Sequence, residues 1–458
     1  MHESSTRPNI IWIMADQLRA QSIGFLGDPN VHTPNIDHLA TMGVTFDRAV
    51  AGSPICSPDR ACVLTGRYSH QNGVPINGHR MDPALPTIAT AFNEHGYHTA
   101  WFGKWHVDAP HLGAGPDTPK AGLEYVVPRE RRGGFETWLG YENVMNPAES
   151  WISGHDKTGA DIEPYLMREW DTDGLADLLI DYLRTRGAAL RAEAGKPFFA
   201  SLSCFAPHDP YFAPPEWMGG YSPGQMVLRP NVPDVRRVQE EAREWTAGYC
   251  AMIANLDWNV GRIRQVLDEE GLARTTHIIF FSDHGDMMGS HGLSRKSMPY
   301  EESIRIPFII GGEVTRWSDW NGRGNGRCNA PLNHVDVAPT SLGLCGIDKP
   351  DWMVGTDYSG YRITGRPIND PDSAYIGIWE PMGWDGLDWP WRGLVTRDGW
   401  KYAEVERQPL MMFNLNEDPY EMVNLIYDPR FADKRRRLQA RLKQWTTDTG
   451  DQFAYGTA

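Results

Sequence analysis

Asn9-Ile10-Ile11-Trp12-Ile13-Met14-Ala15-Asp16-Gln17 is a near-continuous apolar run of strand length that stops on two polar side chains. An unbroken apolar strand is covered on both faces, as in a parallel sheet flanked by helices. Phe198 to Phe205 and Thr276 to Ser282 have the same character, and Tyr97 to Phe102 is a further strand. Helical segments separate them. Thr33-Pro34 reads as a capping residue followed by proline at the first helical position. Thr172 to Glu193 carries Leu175, Leu178, Leu179, Tyr182 and Leu183 on one face. Val235 to Glu270 reads as a long helical region with a break. This alternation predicts an α/β fold, a large and mostly parallel sheet between layers of helices.

In such folds ligand-binding groups gather at the carboxyl ends of the strands. Asp16-Gln17 end the first strand. Lys104 and His106 follow Phe102, two apart and so on one side of an extended segment. His208 follows Phe205, framed by Pro207 and Pro210. Asp283-His284-Gly285-Asp286 follow Ser282. Two strand ends bearing oxygen and nitrogen ligands, side by side, would make a divalent-metal site. Plainer readings exist for each: Asp16 can cap a turn, and Lys104 and His106 can be surface residues of a loop. Ala109 to Glu169, rich in Gly and Pro, reads as long loops or an insertion lining a pocket. Arg305 reads as the partner of Glu301 or Glu302 in a structural ion pair.

Cys56 lies in Ser53-Pro54-Ile55-Cys56-Ser57-Pro58-Asp59-Arg60-Ala61-Cys62-Val63-Leu64-Thr65-Gly66-Arg67. A lone cysteine in a long chain is ordinarily an inert buried residue. Here a short strand, Val44 to Val50, leads into it, and Pro58 to Leu64 looks like a helix start. Cys56 would then sit at a helix N-terminus, which favours an anion.

Composition narrows the classes. The 458 residues carry a net charge of −15, against non-specific nucleic-acid binding. An anionic small substrate stays open if cations gather at its pocket. Hydrophobic content of 41% with 22% charged residues reads as a soluble globular protein. No stretch approaches the ~20 apolar residues of a membrane span. Six scattered cysteines without a C-x-x-C pair, and no apolar leader at the N-terminus, predict a reduced, cytoplasmic compartment. A periplasmic or secreted protein whose signal peptide was removed would read the same.

Beyond about Cys345 short strands replace the alternation: Ser373 to Ile378, Arg392 to Thr396, Lys401 to Val405 and Met411 to Leu415, with Asp398-Gly399 as a hairpin signal. A helix, Pro429 to Trp445, closes the chain. The predicted domains are 1–346, catalytic, and 347–458, a smaller subdomain with an antiparallel sheet and terminal helix. Trp379, Trp384, Trp389 and Trp391 crowd one loop of it, either packing against the large domain or stacking on a sugar or aromatic ring.

Cys56-x-Pro58-x-Arg60 with Leu64-Thr65-Gly66-Arg67 resembles the signature of the type I sulfatases of the alkaline phosphatase superfamily. Further segments resemble that family in order: Asn9 to Gln17, Gly103-Lys104-Trp105-His106, Pro207-His208-Asp209-Pro210-Tyr211, Ser282 to Asp286, His291 through Lys296 to Ser303, and Leu415-Asn416-Glu417-Asp418-Pro419-Tyr420-Glu421. The resemblance implies an alkaline phosphatase-like sheet and a hydrolase of organic sulfate monoesters, whether aryl, alkyl or sugar. It implies that a formylglycine-generating enzyme converts Cys56 to formylglycine, whose hydrated aldehyde attacks sulfur. It implies one divalent cation at Asp16, Gln17, Cys56, Asp283 and His284, calcium first, with manganese or magnesium as alternatives. Arg60, Lys104 and Lys296 would balance the sulfuryl oxygens, His208 with Lys296 would serve the leaving oxygen, and His106 would take a proton from the diol. The implied partners are a small sulfate ester and the converting enzyme, with no nucleic acid and no membrane; a homo-oligomer is compatible with it.

The chain departs from the pattern at Gln17 and His284, where many arylsulfatases carry Asp-Asp and Asp-Asn loops. That pairing resembles choline sulfatases and phosphonate monoester hydrolases, whereas Lys104 and His106 are sulfatase-like. Asp59 stands where serine is frequent. The alternatives are a phosphonate monoester or phosphodiester hydrolase, and a non-catalytic anion-binding protein with unmodified Cys56.

Overall fold

The computed structural model describes residues 7–108, 125–144, 146–191, 196–314, 326–363, 365–383 and 386–455. Ten strands form one sheet: β1 (Asn9–Ala15), β2 (Val44–Ala49), β3 (His98–Lys104), β4 (Thr137–Tyr141), β5 (Trp151–His155), β6 (Asp161–Leu166), β7 (Phe198–Ser203), β8 (Thr276–Ser282), β9 (Phe308–Gly311) and β10 (Arg327–Leu332). Their order is β10-β2-β9-β8-β1-β7-β3-β4-β5-β6. The centre, β8-β1-β7-β3-β4, is parallel. The pairings of β9 with β2 and β8, and of β5 with β4 and β6, are antiparallel.

All seven residues of β1 are buried, and the strand divides its side chains between two cores. Ile11, Ile13 and Ala15 face the helices Asp171–Arg191 and Arg236–Glu269. Ile10, Trp12 and Met14 face the helices Cys56–Thr65, Ile88–Glu94 and Val337–Leu344. Each large apolar side chain so buried contributes about 1.5–3 kcal/mol. Trp12 stacks edge-on against Phe199 and Phe281, and its Nε1 donates to Ser341 Oγ at 2.8 Å, which satisfies its one buried polar atom.

Three expectations change. The stretch expected as loops contributes β4, β5 and β6, which extend the sheet at one edge. β6 is largely exposed, so backbone pairing rather than apolar patterning defines it. The long helix Arg236–Glu269 runs without a break. Its Gly248 and Gly261 are close approaches: a Cβ at Gly248 would lie 2.0 Å from Tyr211 O, and one at Gly261 2.6 Å from Asn35 Oδ1. β10, which pairs in parallel with β2, lies in a stretch not read as a strand.

A second sheet, β11 (Ser373–Ile378), β12 (Trp391–Thr396), β13 (Trp400–Val405) and β14 (Gln408–Asn414), is antiparallel throughout. One face, with Tyr375, Leu394, Tyr402 and Met412, packs on Leu438 and Leu442 of the helix Ala432–Thr449. The other, with Ile376, Val395, Ala403 and Phe413, packs on Ile55 and Ile304, which flank the site described next. No helix among the described residues is long and apolar enough to cross a membrane.

Candidate active site

The carboxyl ends of β1, β3, β7 and β8 converge on the first turn of the helix Cys56–Thr65. All ten residues of that helix are buried. A helix buried on every side must pair its polar groups within the protein. Asp59 Oδ1 accepts from Ser53 N and lies 2.8 Å from His334 Nδ1. Burial raises the Asp59 pKa, opposed by His334.

Arg60 is wholly buried, and each of its three nitrogens donates to a protein acceptor. Nε donates to Asp283 Oδ2 at 3.1 Å, and Nη1 to Lys104 O at 3.0 Å and Ser203 Oγ at 2.8 Å. Nη2 bridges Asp16 Oδ2 and Asp283 Oδ2, each at 3.0 Å. Arg60 thus directs its charge at Asp16 and Asp283. The residue fixes and neutralises two carboxylates. Burial lowers its pKa, but Asp283 and Asp16 outweigh that and raise it.

Cys56 is 1% exposed. Its Sγ lies 3.1 Å from His284 Nε2, 3.3 Å from Lys296 Nζ and 3.8 Å from Asp16 Oδ1. Ligand atoms of Asp16, Cys56, Asp283 and His284 all lie within 4.8 Å of one another. Arg60 and Lys104 hold the outer Oδ2 atoms, and the Oδ1 atoms of Asp16 and Asp283 each stand 3.7 Å from His284 Nε2. His284 Nδ1 donates to Gly285 O at 3.0 Å, and burial lowers the pKa of the ring, so Nε2 presents a lone pair. Lone pairs of two carboxylates and an imidazole facing one another fit a divalent cation.

Gln17, at φ 67°, donates its backbone N–H to Asp283 Oδ1 at 2.9 Å, which ties the ends of β1 and β8 together. Its Oε1 accepts from Lys296 Nζ at 2.7 Å, and its Nε2 donates to Asp286 Oδ2 at 2.6 Å. Gln17 thus connects Lys296 and Asp286 beside the cluster.

Around this cluster stand the remaining predicted residues. Lys104 Nζ donates to Asp16 Oδ2 at 2.6 Å. Burial raises the Asp16 pKa, but Lys104, His208, Arg60 and His284 together hold it well below the usual carboxylate range. His208 Nε2 is 3.0 Å from Lys296 Nζ, and its Nδ1 donates to Asp209 O at 2.6 Å. Burial lowers the Lys296 pKa, but Cys56, Asp16, Asp283 and Asp209 outweigh it, so the ammonium keeps its proton. His106 is buried with Nδ1 unpartnered; burial, then Lys104 and Arg60, hold its pKa well below the usual value. It is a neutral base beside two cations.

Sequence reasoning assigned no role to Ser203, Asp209, Tyr211 or Asp286. Ser203 Oγ donates to Lys104 O at 2.7 Å while accepting from Arg60, and Tyr211 Oη donates to Asp286 Oδ2 at 2.6 Å. The last three stand in segments quoted above as motifs; Ser203, the last residue of β7, carried no separate signal.

The Lys296 loop has positive φ at Arg295 (59°) and Ser297 (75°), a conformation non-glycine residues hold only when their surroundings enforce it. Arg295 pairs with Asp209 at 3.2 Å, and Trp391 Nε1 donates to Ser297 O at 3.0 Å. Trp391 and Trp379 pack, the latter under the Arg392 guanidinium at 4.4 Å. Trp389 is 64% exposed, and Trp384 lies outside the described residues. The expected pairing of Arg305 with a glutamate is not formed: Glu301 pairs with Lys401 at 3.3 Å, Glu302 with Arg229 at 2.8 Å, and Arg305 Nε donates to Asp47 O.

Residues 8–347 match the family model described as Sulfatase, and residues 289–448 match that of the N-sulphoglucosamine sulphohydrolase C-terminal region. An ulvan-active sulfatase of Formosa agariphila is 31% identical over 454 residues, covering 98% of this chain and 83% of that protein. An endo-4-O-sulfatase of Bacteroides thetaiotaomicron is 31% identical over 481 residues, covering 93% and 89%. The crystal structure of YidJ from Bacteroides fragilis superposes with a TM-score of 0.84 at 26% identity, covering 98% of each chain.

Proposed function

The chain belongs to the sulfatase family, whose members hydrolyse sulfate esters, and from that premise we propose that it removes sulfate from saccharide sulfate monoesters using Cys56 after conversion to formylglycine. The reading as a non-catalytic anion binder falls with that membership. The observation that carries the proposal is the convergence on Cys56 Sγ of His284 Nε2, Lys296 Nζ and Asp16 Oδ1, within 3.8 Å at most. Sγ stands where an aldehyde oxygen of the converted residue would lie.

Asp16, Asp283, His284 and residue 56 would hold a divalent cation, with Gln17 beside them. Such a cation, when bound, polarises the ester and favours the ionised nucleophile. Lys104 and Lys296 bind the sulfuryl oxygens, and preorganised charge of this kind is commonly the largest catalytic contribution. His106, neutral and with an unpartnered Nδ1, takes the proton that the hydrated residue 56 releases when sulfate leaves. Arg60 keeps Asp16 and Asp283 ionised and fixed. The saccharide class draws on the relatives, one named for activity on ulvan and one an endo-4-O-sulfatase.

Two measurements test this. Intact mass of the tryptic peptide carrying Cys56, from a host with the converting enzyme, should be that of formylglycine. A purely thiol mass together with full activity in Cys56→Ala would end the mechanism. Side-by-side kinetics on aryl sulfate and aryl phosphonate should favour sulfate; a large phosphonate preference would move the assignment to the phosphonate hydrolases that Gln17 and His284 resemble.

A further inference from the structure

A cleft of about 460 Å³ opens between the Arg19–Asn30 loop, the segment Val227–Pro230 and the tail segment Leu415–Tyr420. None of Cys56, Lys104, His106, His208 or Lys296 lines it. Four arginines do, Arg19, Arg48, Arg229 and Arg305, against Asp28 and Glu301. On a chain of net charge −15 that is a local inversion of sign.

The carboxylates nearest the cleft also serve other partners, and they compensate its four arginines only in part. Glu301 pairs with Lys401, and Asp28 Oδ1 accepts from Asn30 N at 2.7 Å. Arg229 is bridged to Glu302 and lies over the Tyr420 ring at 4.9 Å. Arg19, Arg48 and Arg305 form no ion pair among the described residues. Arg19 is 4% exposed and donates from Nε to Ser22 Oγ at 2.8 Å, while its Nη1 is buried with no hydrogen-bond partner. Arg48 Nε is likewise buried and unpartnered. Burial lowers the Arg305 pKa; Glu301 and Asp47 act against that, while Arg48 and Arg327 add to it. Buried guanidinium N–H groups are unfavourable unless an acceptor meets them, and a planar guanidinium fork suits oxyanions.

We propose that this cleft is a second anion site, separate from the catalytic centre, that takes a sulfate group either free or carried on a saccharide. Its volume lies in the range of small-molecule pockets, larger than one oxyanion needs. Its link to the catalytic centre is short: Tyr249 Oη accepts from Arg19 N at 3.0 Å and donates to Gln17 O at 2.6 Å.

The experiment is calorimetric titration of the full-length enzyme, Arg48→Gln and Arg305→Gln with sodium sulfate at constant ionic strength, and separately with a short dextran sulfate. Wild type should bind sulfate at two sites. Each variant should lose one of them, or bind there at least tenfold more weakly, with turnover of 4-nitrophenyl sulfate within twofold of wild type. Loss of dextran sulfate binding alone would assign the cleft to chain-borne sulfate; loss with both probes would show that the free ion suffices. Unchanged titrations with both probes in Arg48→Gln would overturn the proposal. That variant carries the test if Arg305→Gln fails to fold, because the Arg48 side chain is partly exposed.

Discussion

Lys296 Nζ donates to His208 Nε2 across 3.0 Å, while His208 Nδ1 donates to Asp209 O. On the proposed mechanism the proton for the departing oxygen is on Lys296, and His208 stands behind it as the group that restores it. Lys296→Ala should lose about 10²–10³ in turnover whatever the leaving group. His208→Ala should lose little with 4-nitrophenyl sulfate, whose leaving oxygen needs no proton, and about 10²–10⁴ with an alkyl or saccharide sulfate. Rates across a series of leaving-group pKa values decide; a uniform loss in His208→Ala would contradict the assignment.

Arg60→Lys should behave as a destabilising substitution as well as an inactivating one. A lysine has three donors on a point charge in place of five on a fork. Asp16 and Asp283, both wholly buried, would lose neutralising contacts. Breaking a buried ion pair typically costs about 3–5 kcal/mol. Urea denaturation of the variant measures this, and an unshifted midpoint would show that the two carboxylates do not depend on Arg60.

Dialysis against a chelator should remove activity and lower the melting temperature together, because one cluster serves both. A ligand present at a hundred times its dissociation constant stabilises by about 2.7 kcal/mol. Readdition of calcium, manganese or magnesium in turn, followed by melting curves, ranks the ions without relying on activity. Asp16→Asn should blunt the stabilisation by each ion. A melting temperature indifferent to chelation and to all three metals would count against the cation.

The pH dependence of stability should carry a signature of His98, well away from the cluster. Burial, with Arg186 and Lys196 nearby, pushes its pKa down to about 4 from an ordinary 6.5. The folded state then refuses a proton that the unfolded chain accepts. This stabilisation is complete above pH 6.5 and is lost as the pH falls toward 4. His98→Gln should flatten that limb in urea midpoints taken across the window. Parallel curves for variant and wild type would remove His98 from the account.

The centre of the sheet was legible because β1, β7 and β8 are apolar on both faces, and burial on both faces leaves no other reading. Strand ends were legible for the same reason: Asp16, Lys104, His208 and Asp283 interrupt runs that otherwise exclude charge. β6 was not, since it is held by pairing at an exposed edge and leaves no hydrophobic period. The direction of a guanidinium was not either. Arg60 and Arg305 differ in whether carboxylates from distant strands arrive to meet them, and only the assembled fold determines that.

Trp391, far along the chain, clamps the loop of Lys296 over a cysteine that is almost sealed from solvent. The converting enzyme of the proposal would therefore have to act before that clamp closes. On a ribosome, the interval between Cys56 and Trp391 lasts on the order of 20–70 s at ordinary elongation speeds. On that proposal, the distance in sequence between nucleophile and clamp sets the time in which residue 56 can be converted.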